Sequence, residues 1–466
     1  MTKVVSNAYE TQNVDGLVDT PVFKMNTALV HWKEAATVIL TAGIKRTSVV
    51  DSLRTSIEKH SPSPPVTWTK PPGSYISVSA WTQSGLPAKS AFDYEVLLLK
   101  RSGKSGFMPN AYVFPGGLVE TSDFSSEWLD IFRNFTHSPN FGLGVVKQPP
   151  QTRPPIFATD RMKFGSPIPG DVAFRICAVR ETFEESGVLL VVHKEEENSV
   201  LMSMNNRDAC MADLTQISNV CGERELANWR QLVMKNPLNF IRMCRELECL
   251  PNIWALHEWG NWLTPTAVYD KQRRYDTAFF ICCLKDIPHT VQDEKEIVHF
   301  KWSTPIEVLQ SYEAREMWIA PPQMYDLSRL CHFSDLDDLH RFAQQRSLEG
   351  CEQWLPIRLT SADCYMSLLP GDELYPEQVD MSGQSDVNMR TKKSLEELQM
   401  ESSSFHRLVF HDPYTASMHV NITPKYKHLS PLPATSSSCS SSSSSSNNSS
   451  SSSGSVSSGS TPTSRL

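Results

Sequence analysis

Residues 180–188 read RETFEESGV, and the turn FPGG precedes them at residues 114–117. On a helix, Glu181, Glu184 and Glu185 are related by i, i+3 and i+4, so their three carboxylates share one face. Like charges this close destabilise a helix unless a cation lies among them, and Mg²⁺ prefers carboxylate and water oxygens. The stretch therefore predicts a helix that holds a magnesium ion.

A solvated acidic helix face is the competing interpretation, and it is the more frequent one for an isolated ExxEE pattern. The surrounding residues favour the metal site. Gly116 and Gly117 allow the backbone to approach a ligand closely, and Gly187 marks the end of the helix. Together with Arg180 they predict a loop-helix-loop unit that brings carboxylates to a pyrophosphate.

The rest of the chain mixes strand and helix patterns, which indicates an α/β or α+β fold. Residues 74–81 and 94–100 read as a hairpin-like pair of strands, and residues 173–186 read as an amphipathic helix. Further strands are predicted at residues 188–192, 275–284, 299–302 and within 405–426, two short helices at 228–250 around Pro237, and a helix start at 305–312.

Composition limits the class of protein. The chain has 466 residues, a formal charge of -8 and a pI of about 5.9, which argues against nucleic acid as a partner. Eleven cysteines without a CxxC pair predict free thiols in a reducing compartment. The N-terminus lacks the apolar stretch of a signal peptide, and the apolar runs are too short to cross a bilayer. We expect a soluble intracellular protein.

The two motifs resemble the Nudix hydrolases, whose box is a glycine, five residues, an acid, seven residues and then REUxEExGU. Gly117 matches the glycine, Asp123 takes the place of the first acid, and Thr182 occupies the aliphatic position. Between Asp123 and Arg180 stand 56 residues instead of seven. The resemblance implies an α/β/α sandwich with a mixed sheet, interrupted by an insertion at about residues 124–171 that we expect to loop out.

A second motif resembles the signature of coenzyme A-specific Nudix enzymes, LLTxRSxxxRxxxGxxxFPGG. Residues 97–102 read LLLKRS at the same distance from FPGG, whereas Gly106 and Asn110 depart from the signature. The split box is similar to that of the animal, peroxisomal branch of these enzymes. Lys100 and Arg101 are candidates for contacting the 3′-phosphate of coenzyme A, or are simply exposed basic residues.

The resemblance implies Mg²⁺-dependent hydrolysis of coenzyme A and its acyl esters to 3′,5′-ADP and (acyl-)phosphopantetheine, with Mn²⁺ as an alternative ion. Glu181 and Glu185 are the expected metal ligands, Glu184 is a further ligand or the base, and Arg180 holds a glutamate in place. The alternatives are an ADP-ribose or dinucleotide pyrophosphatase and a non-catalytic nucleotide-binding module.

Several other polar and aromatic residues carry two interpretations each. Glu294 and Glu296 are either a further acid near the metal or a solvated turn. The remaining candidates are expected to be structural: His257 and His299 lack partners at ligand spacing, and Trp254, Trp259 and Trp262 are expected to pack inside inserted helices.

We expect a flexible N-terminus at residues 1–30, a Nudix domain at 31–380 with a helical insertion at about 200–262, and a partly ordered extension at 381–432. Length is thus attributed to insertions, not to a second fold. Residues 433–466 are almost entirely polar and serine-rich, which predicts a disordered tail. Its last residues, Ser464-Arg465-Leu466, resemble a peroxisomal address that an import receptor reads. A cytoplasmic protein is the alternative.

Overall fold

The computed structural model describes residues 31–45, 75–77, 88–205 and 214–432, with side chains omitted at 75–77 and 203–205. The expectations for residues 1–30 and 433–466 lie outside this part. The strands are β1 Lys33–Gly43, β2 Tyr75–Ser77, β3 Tyr94–Arg101, β4 Ala111–Val113, β5 Gly116–Leu118, β6 Val191–His193, β7 Cys249–Pro251, β8 His257–Leu263, β9 Tyr275–Leu284, β10 Ile297–Ser303, β11 Trp318–Ile319, β12 Gln353–Trp354, β13 Ile357–Thr360, β14 Tyr365–Leu368, β15 Asn388–Arg390, β16 His406–Asp412 and β17 Thr415–Val420.

The α-helices are α1 Trp128–Ile131, α2 Pro155–Ala158, α3 Gly170–Ser186, α4 Glu197–Asn205, α5 Glu223–Lys235, α6 Leu238–Glu246, α7 Pro305–Glu313, α8 Pro321–Leu330, α9 Leu336–Ser347 and α10 Leu395–Glu401. Within the described ranges, no helix is long and apolar enough to cross a membrane.

A nine-stranded mixed sheet forms the centre of the fold, in the order β11-β4-β3-β1-β9-β8-β12, with β10 beside β3 and β5 beside β1. Strands β1 and β9 run parallel over ten residue pairs, from Lys33–Tyr275 to Ala42–Leu284. The strands next to them, β3 and β8, are antiparallel to this pair. A parallel pair in the middle of a sheet is normally buried on both faces, and both strands are accordingly buried along almost their whole length.

Apolar side chains leave this sheet alternately on two faces, and each face carries a helical layer. On β1, Val38 and Leu40 belong to the core that contains helix α3, whereas Ile39 belongs to the core that contains α7, α8 and α9. Strand β9 alternates in the same way, with Phe280 on the first face and Phe279 on the second. The α/β/α sandwich with a mixed sheet is confirmed.

Helix α3 is confirmed as the helix predicted from residues 173–186. It begins three residues earlier and ends at Gly187, whose φ of 74° lets its N–H donate to the carbonyl oxygen of Phe183. Thr182, which stands where the Nudix box has an aliphatic residue, is fully buried, and its hydroxyl donates to the carbonyl oxygen of Ala178 at 2.7 Å. The departure from the motif is therefore accommodated without a buried, unpaired hydroxyl.

The insertion at residues 124–171 was predicted to loop out, and this prediction is wrong. Its proline-rich sequence also carries aromatic side chains, and these pack against helix α3 and the first face of the sheet. Trp128 is 1% exposed and its indole N–H donates to the carbonyl oxygen of Ser122. The buried members are Phe124, Trp128, Phe132, Phe135, Phe141, Ile156, Phe157 and Ile168.

Two further expectations are corrected by strand pairing. Residues 75–77, the described part of the first stretch, do not form a hairpin with residues 94–100, because β2 pairs with β17 in a different sheet while β3 pairs with β1, β4 and β10. Alternation predicts a strand but not its partner. The segment 200–262 contains the predicted helices α5 and α6, but it ends in β8, so Trp259 and Trp262 lie on a strand of the central sheet.

Strands β13 to β17 form a second sheet, in the order β15-β13-β14-β16-β17-β2. Strands β13 and β14 of this sheet precede the expected boundary at residue 380, and β15, β16 and β17 follow it. The chain from residue 357 onward therefore forms a sheet of its own, not a partly ordered extension of the Nudix domain. Leu408 and Met418 of this sheet belong to the same apolar core as helices α8 and α9. Both sheets lie in a single compact unit.

Candidate active site

The FPGG turn packs directly against the acidic face of helix α3. The N–H of Gly116 donates to Oε2 of Glu185 at 2.9 Å. A Cβ atom on Gly117 would lie 2.5 Å from Cδ of Glu181, and one on Gly116 would lie 2.6 Å from Cα of Thr37. A side chain at Gly116 would therefore meet backbone atoms, and a side chain at Gly117 would displace the Glu181 carboxylate.

Arg180 organises the acidic residues around it. Its guanidinium is buried, with Nη1 donating to Glu181 at 2.7 Å and to Glu184 at 2.9 Å. Nε and Nη2 donate to the two carboxylate oxygens of Asp123, and Nη2 also bonds the carbonyl oxygen of Leu118. These contacts use its donors on protein groups, and two of them tie the guanidinium to Glu181 and Glu184.

Asp123 joins the two halves of the interrupted motif in space. It lies in a short 3₁₀ helix, Thr121–Phe124, and is 1% exposed. Although 56 residues separate it from Arg180 in sequence, the bidentate pair joins them at 2.8 to 2.9 Å. Asp123 therefore faces the arginine, and the carboxylates left to face a ligand are those of helix α3.

The protein compensates only in part the negative charge that the three glutamates of the helix carry when ionised. Desolvation raises the pKa of Glu181 to about 7, with Arg180 lowering it and Glu184 raising it further. Desolvation, reinforced by Glu181, raises the pKa of Glu185 well above its usual value, against the Gly116 N–H and Arg101. Burial likewise raises the pKa of Glu184. Such a cluster favours a cation, since charged carboxylates without one are costly to bury.

The donors present fit a hard divalent ion. Three carboxylates share one helix face, and Glu296 lines the same cavity. Among the residues that the structure describes, no three His, Cys, Asp or Glu side chains already surround a common ion position. One oxygen of each glutamate accepts a hydrogen bond, from Arg180 for Glu181 and Glu184 and from the Gly116 N–H for Glu185.

These residues open into a cavity of about 780 Å³. Its acidic end is formed by helix α3 and the FPGG turn, and aromatic and proline side chains form much of the remaining wall. The second sheet contributes as well. The residues that line the cavity include Arg101, Phe107, Glu120, Arg180, Glu181, Glu184, Glu185, Trp262, Tyr269, Glu296, Arg358, Tyr365, Ser367 and Phe410.

The two basic candidates, Lys100 and Arg101, differ in whether they line the cavity. Arg101 lines the cavity and is oriented by hydrogen bonds to Ser105 Oγ and to the carbonyl oxygen of Phe107. Lys100 does not line it; its Nζ lies 5.7 Å from the ring centre of Tyr112. Neighbouring residues of a strand point to opposite faces, so only one of the two reaches the site.

Of the remaining candidates, some line the cavity and others do not. Glu296 joins the cavity lining, whereas Glu294 occupies a turn with a φ of 66°. His257 is buried beside His340, and His299 packs on Tyr112, as expected of structural residues. The tryptophans also differ in their surroundings. The indole N–H of Trp254 donates to the carbonyl oxygen of Phe141, and that of Trp259 donates to Oδ1 of Asp326. Trp262 lines the cavity.

Arg358 and Tyr365 are cavity residues that the motifs did not indicate. They lie about 180 residues after the helix in sequence and belong to the second sheet, which carries no catalytic motif. The only signal in the sequence is the strand alternation of residues 357–368.

A carboxylate-bearing helix that follows an FPGG turn, packed on a mixed sheet between helical layers, is the arrangement typical of Nudix proteins. Comparison with family models agrees: the NUDT19 Nudix domain matches residues 32–330 and the NUDT19 C-terminal domain matches residues 358–421. The chain belongs to the NUDT19 family of Nudix hydrolases.

Two relatives, from Xenopus laevis and Homo sapiens, support this membership. The chain is 47% identical over 418 residues to "Acyl-coenzyme A diphosphatase NUDT19" of Xenopus laevis, covering 89% of this chain and 99% of the relative. It is 39% identical over 403 residues to the Homo sapiens protein of that name, covering 86% and 95%. A NUDIX hydrolase structure from Alicyclobacillus acidocaldarius aligns over 66% of this chain and 95% of its own, with a TM-score of 0.38 and 15% identity.

Proposed function

We propose that this protein hydrolyses the diphosphate linkage of coenzyme A and acyl-coenzyme A esters, giving 3′,5′-ADP and (acyl-)phosphopantetheine. The observation that carries the proposal is the meeting of Glu181, Glu184 and Glu185 with the FPGG turn at one end of a large cavity. The printed names of the relatives, acyl-coenzyme A diphosphatases, favour coenzyme A over other diphosphates.

The residues would divide the work as follows. Glu181 and Glu185 would hold the divalent ion, which we propose to be Mg²⁺ with Mn²⁺ as a substitute, and Glu184 would serve as a further ligand or as the base. A bound ion supplies positive charge for the phosphoryl oxygens and acidifies water. Arg180 keeps Glu181 and Glu184 in place, and Arg101 lies at the same end of the cavity, where it can pair with phosphate oxygens.

The reaction needs one proton acceptor and one leaving group. A glutamate of helix α3 accepts a proton as the water oxygen bonds to phosphorus, and the bridging P–O bond breaks to release one phosphate on each product. Burial raises the pKa of Glu184, which keeps this carboxylate a better proton acceptor than an exposed one.

A substrate panel tests the proposal. Purified protein with Mg²⁺ is given coenzyme A, acetyl-coenzyme A, ADP-ribose and a dinucleotide at equal concentration, and products are identified by mass spectrometry. We expect 3′,5′-ADP from both coenzyme A substrates and none when EDTA replaces the metal. Preferred hydrolysis of ADP-ribose would move the assignment to the alternative pyrophosphatase, and no turnover of any diphosphate would support a binding module.

We also propose a peroxisomal location, read by an import receptor from Ser464-Arg465-Leu466. These residues lie outside the described part of the chain. Deleting the three residues from a fluorescent fusion should release the protein into the cytoplasm. An unchanged distribution would refute this address.

A further inference from the structure

The second sheet forms part of the wall of the substrate cavity. The registers Arg358–Ser367 and Tyr365–Phe410 place these four side chains on one face of β13, β14 and β16. All four line the cavity. Further along the same face, Leu408 packs into the core shared with helices α8 and α9. The C-terminal part is therefore positioned to contact whatever molecule the glutamates act on.

Arg358 is held on this wall by aromatic contacts. Its guanidinium carbon lies 4.7 Å from the ring centre of Tyr365. The Tyr365 ring in turn stacks on Phe410, with centroids 4.9 Å apart and planes at 10°. Such stacking fixes the plane of a guanidinium while leaving its N–H groups free to donate.

Within the described part of the chain, the Arg358 side chain makes no hydrogen bond or ion pair, and its guanidinium lies over the Tyr365 ring. Of the other two arginines of the cavity, Arg180 is paired with Asp123 and the glutamates, and Arg101 donates to the neutral Ser105 and Phe107 near the acidic end, where it can serve the diphosphate. An arginine that lies in a cavity wall without an anionic partner can bind an anionic group of a ligand through its N–H donors.

Arg358 stands on β13 of the second sheet, whereas the glutamates of the acidic end stand on helix α3. Arg101 is close enough to Glu185 to lower its pKa, whereas Arg358 lowers that of Tyr365 on its own sheet. The lining carboxylates all belong to the Nudix part: Glu120, Glu181, Glu184, Glu185 and Glu296. The cavity thus offers two separate places for anionic groups, one at the metal-binding glutamates and one at Arg358.

We propose that Arg358 binds a phosphate monoester of the same substrate whose diphosphate lies at helix α3, and thereby selects nucleoside diphosphate derivatives that carry this additional phosphate. The proposal rests on the proposed function, under which the group is the 3′-phosphate of coenzyme A. An arginine fork matches a phosphate in a bidentate manner, and a terminal phosphate carries up to two charges. The C-terminal sheet is then a specificity element for the Nudix site.

The test compares coenzyme A with 3′-dephospho-coenzyme A, which differ only in this phosphate. For the wild type we expect a higher kcat/KM with coenzyme A. Arg358→Met should lower kcat/KM for coenzyme A at least about tenfold and change that for the dephospho form less than about twofold. Arg358→Lys, which keeps the charge but loses the fork, should fall in between.

Arg390→Met is the matched control, since Arg390 is exposed on β15 of the same sheet and does not line the cavity. It should leave both substrates unchanged. Equal losses for the two substrates in Arg358→Met, or a wild type that treats them alike, would overturn the proposal.

Calorimetric binding in EDTA separates this proposal from the proposed function. If neither substrate is hydrolysed with Mg²⁺, but in EDTA coenzyme A binds more tightly than its dephospho form and Arg358→Met abolishes this difference, the anion site stands and the hydrolase does not. If binding shows no such difference, Arg358 has no role in phosphate selection.

Discussion

Gly117 is the residue on which the geometry of the acidic site depends. Its hydrogen atoms face the carboxylate of Glu181, with no space between them for a methyl group. We predict that Gly117→Ala displaces this carboxylate and lowers kcat about 100-fold, because small misplacements of reacting groups cost that much. Steady-state kinetics with coenzyme A measures the loss, and the thermal midpoint shows whether the fold persists.

Gly106→Ala is the control for this change. A Cβ atom there meets no atom within 4 Å, so the substitution should leave kcat unchanged. Comparable losses in the two variants would show that the effect does not arise from contact with Glu181.

Glu181 should couple protonation, metal binding and stability. Its pKa is raised from 4.5 to about 7 by burial, so the folded state binds a proton more readily than the unfolded state. The stability from this group is complete below the unfolded pKa and is lost as pH rises through about 7. In EDTA, the thermal midpoint should therefore fall between about pH 5 and about pH 8, and less so in Glu181→Gln.

Divalent ions replace the proton, so Mg²⁺ should raise the thermal midpoint more at about pH 8 than at about pH 6. This readout does not require turnover. A midpoint that responds to Mg²⁺ equally in the wild type and in Glu181→Gln would contradict a metal-binding role for Glu181.

Much of the site could be predicted from sequence because its determinants are local. Helical spacing alone places Glu181, Glu184 and Glu185 on one face, and the FPGG turn requires only that its glycines be approached closely. Arg358 could not be predicted, since its place in the cavity depends on how a second sheet packs on the first. The sequence also did not predict which of the neighbours Lys100 and Arg101 reaches the cavity. Arg101 lines it, whereas Lys100 lies beside Tyr112.

The insertion at residues 124–171 shows why composition misleads for single elements. Prolines suggested a loop, but aromatic side chains decide the outcome because their burial stabilises more than the missing backbone hydrogen bonds cost. Trp128 contacts Phe132 and Phe240, with ring centroids about 6 Å away in each case. The insertion thereby joins the α6 helix to the α3 layer.

We predict that Trp128→Ala destabilises the protein by about 3–5 kcal/mol, the range for removing a large aromatic side chain from a core. Val145→Ala, in the same insertion but 76% exposed, should change the free energy of unfolding by less than about 0.5 kcal/mol. Urea denaturation measures both. A Trp128→Ala variant as stable as Val145→Ala would mean that the insertion does not belong to the core.

Long strands and helices with clear periodicity were predicted well, because helix α3 and strands β3, β9 and β16 each bury one face or both along most of their length. The pairing of β2 with β17 was missed. The two strands are more than 300 residues apart, and short strands carry no information about distant partners.

On the level of the whole molecule, the Nudix part and the C-terminal sheet share one core. Leu408 and Met418 belong to the cluster that also contains Ile39 of the central sheet and Met324 of α8. The hydroxyl of Tyr325 on α8 is 2.9 Å from Nε2 of His406 on β16. The two parts should therefore unfold together, although two family models describe them separately.

Leu408→Ala tests this cooperativity. The side chain is 1% exposed, so its truncation should cost about 2–5 kcal/mol and shift one common unfolding transition to lower temperature. Calorimetry together with intrinsic fluorescence follows the transition. Two transitions, of which only one moves, would show that the sheets are independent.

The expected boundary at residue 380 divided the second sheet because its first strands, β13 and β14, follow the Nudix helices without a change in composition. Their register with β16 becomes evident only in three dimensions. The charge of -8 is compatible with a phosphate substrate, since the cavity adds Arg101 and Arg358 to any ion held by the glutamates.

The proposal that helix α3 holds the ion for diphosphate hydrolysis is tested by Glu185→Gln, a change that keeps size and removes the charge. With coenzyme A and Mg²⁺, we expect kcat to fall at least about 100-fold while the thermal midpoint in EDTA does not fall. Release of 3′,5′-ADP, followed by chromatography, is the measurement. A variant that releases 3′,5′-ADP at the wild-type rate would contradict the account.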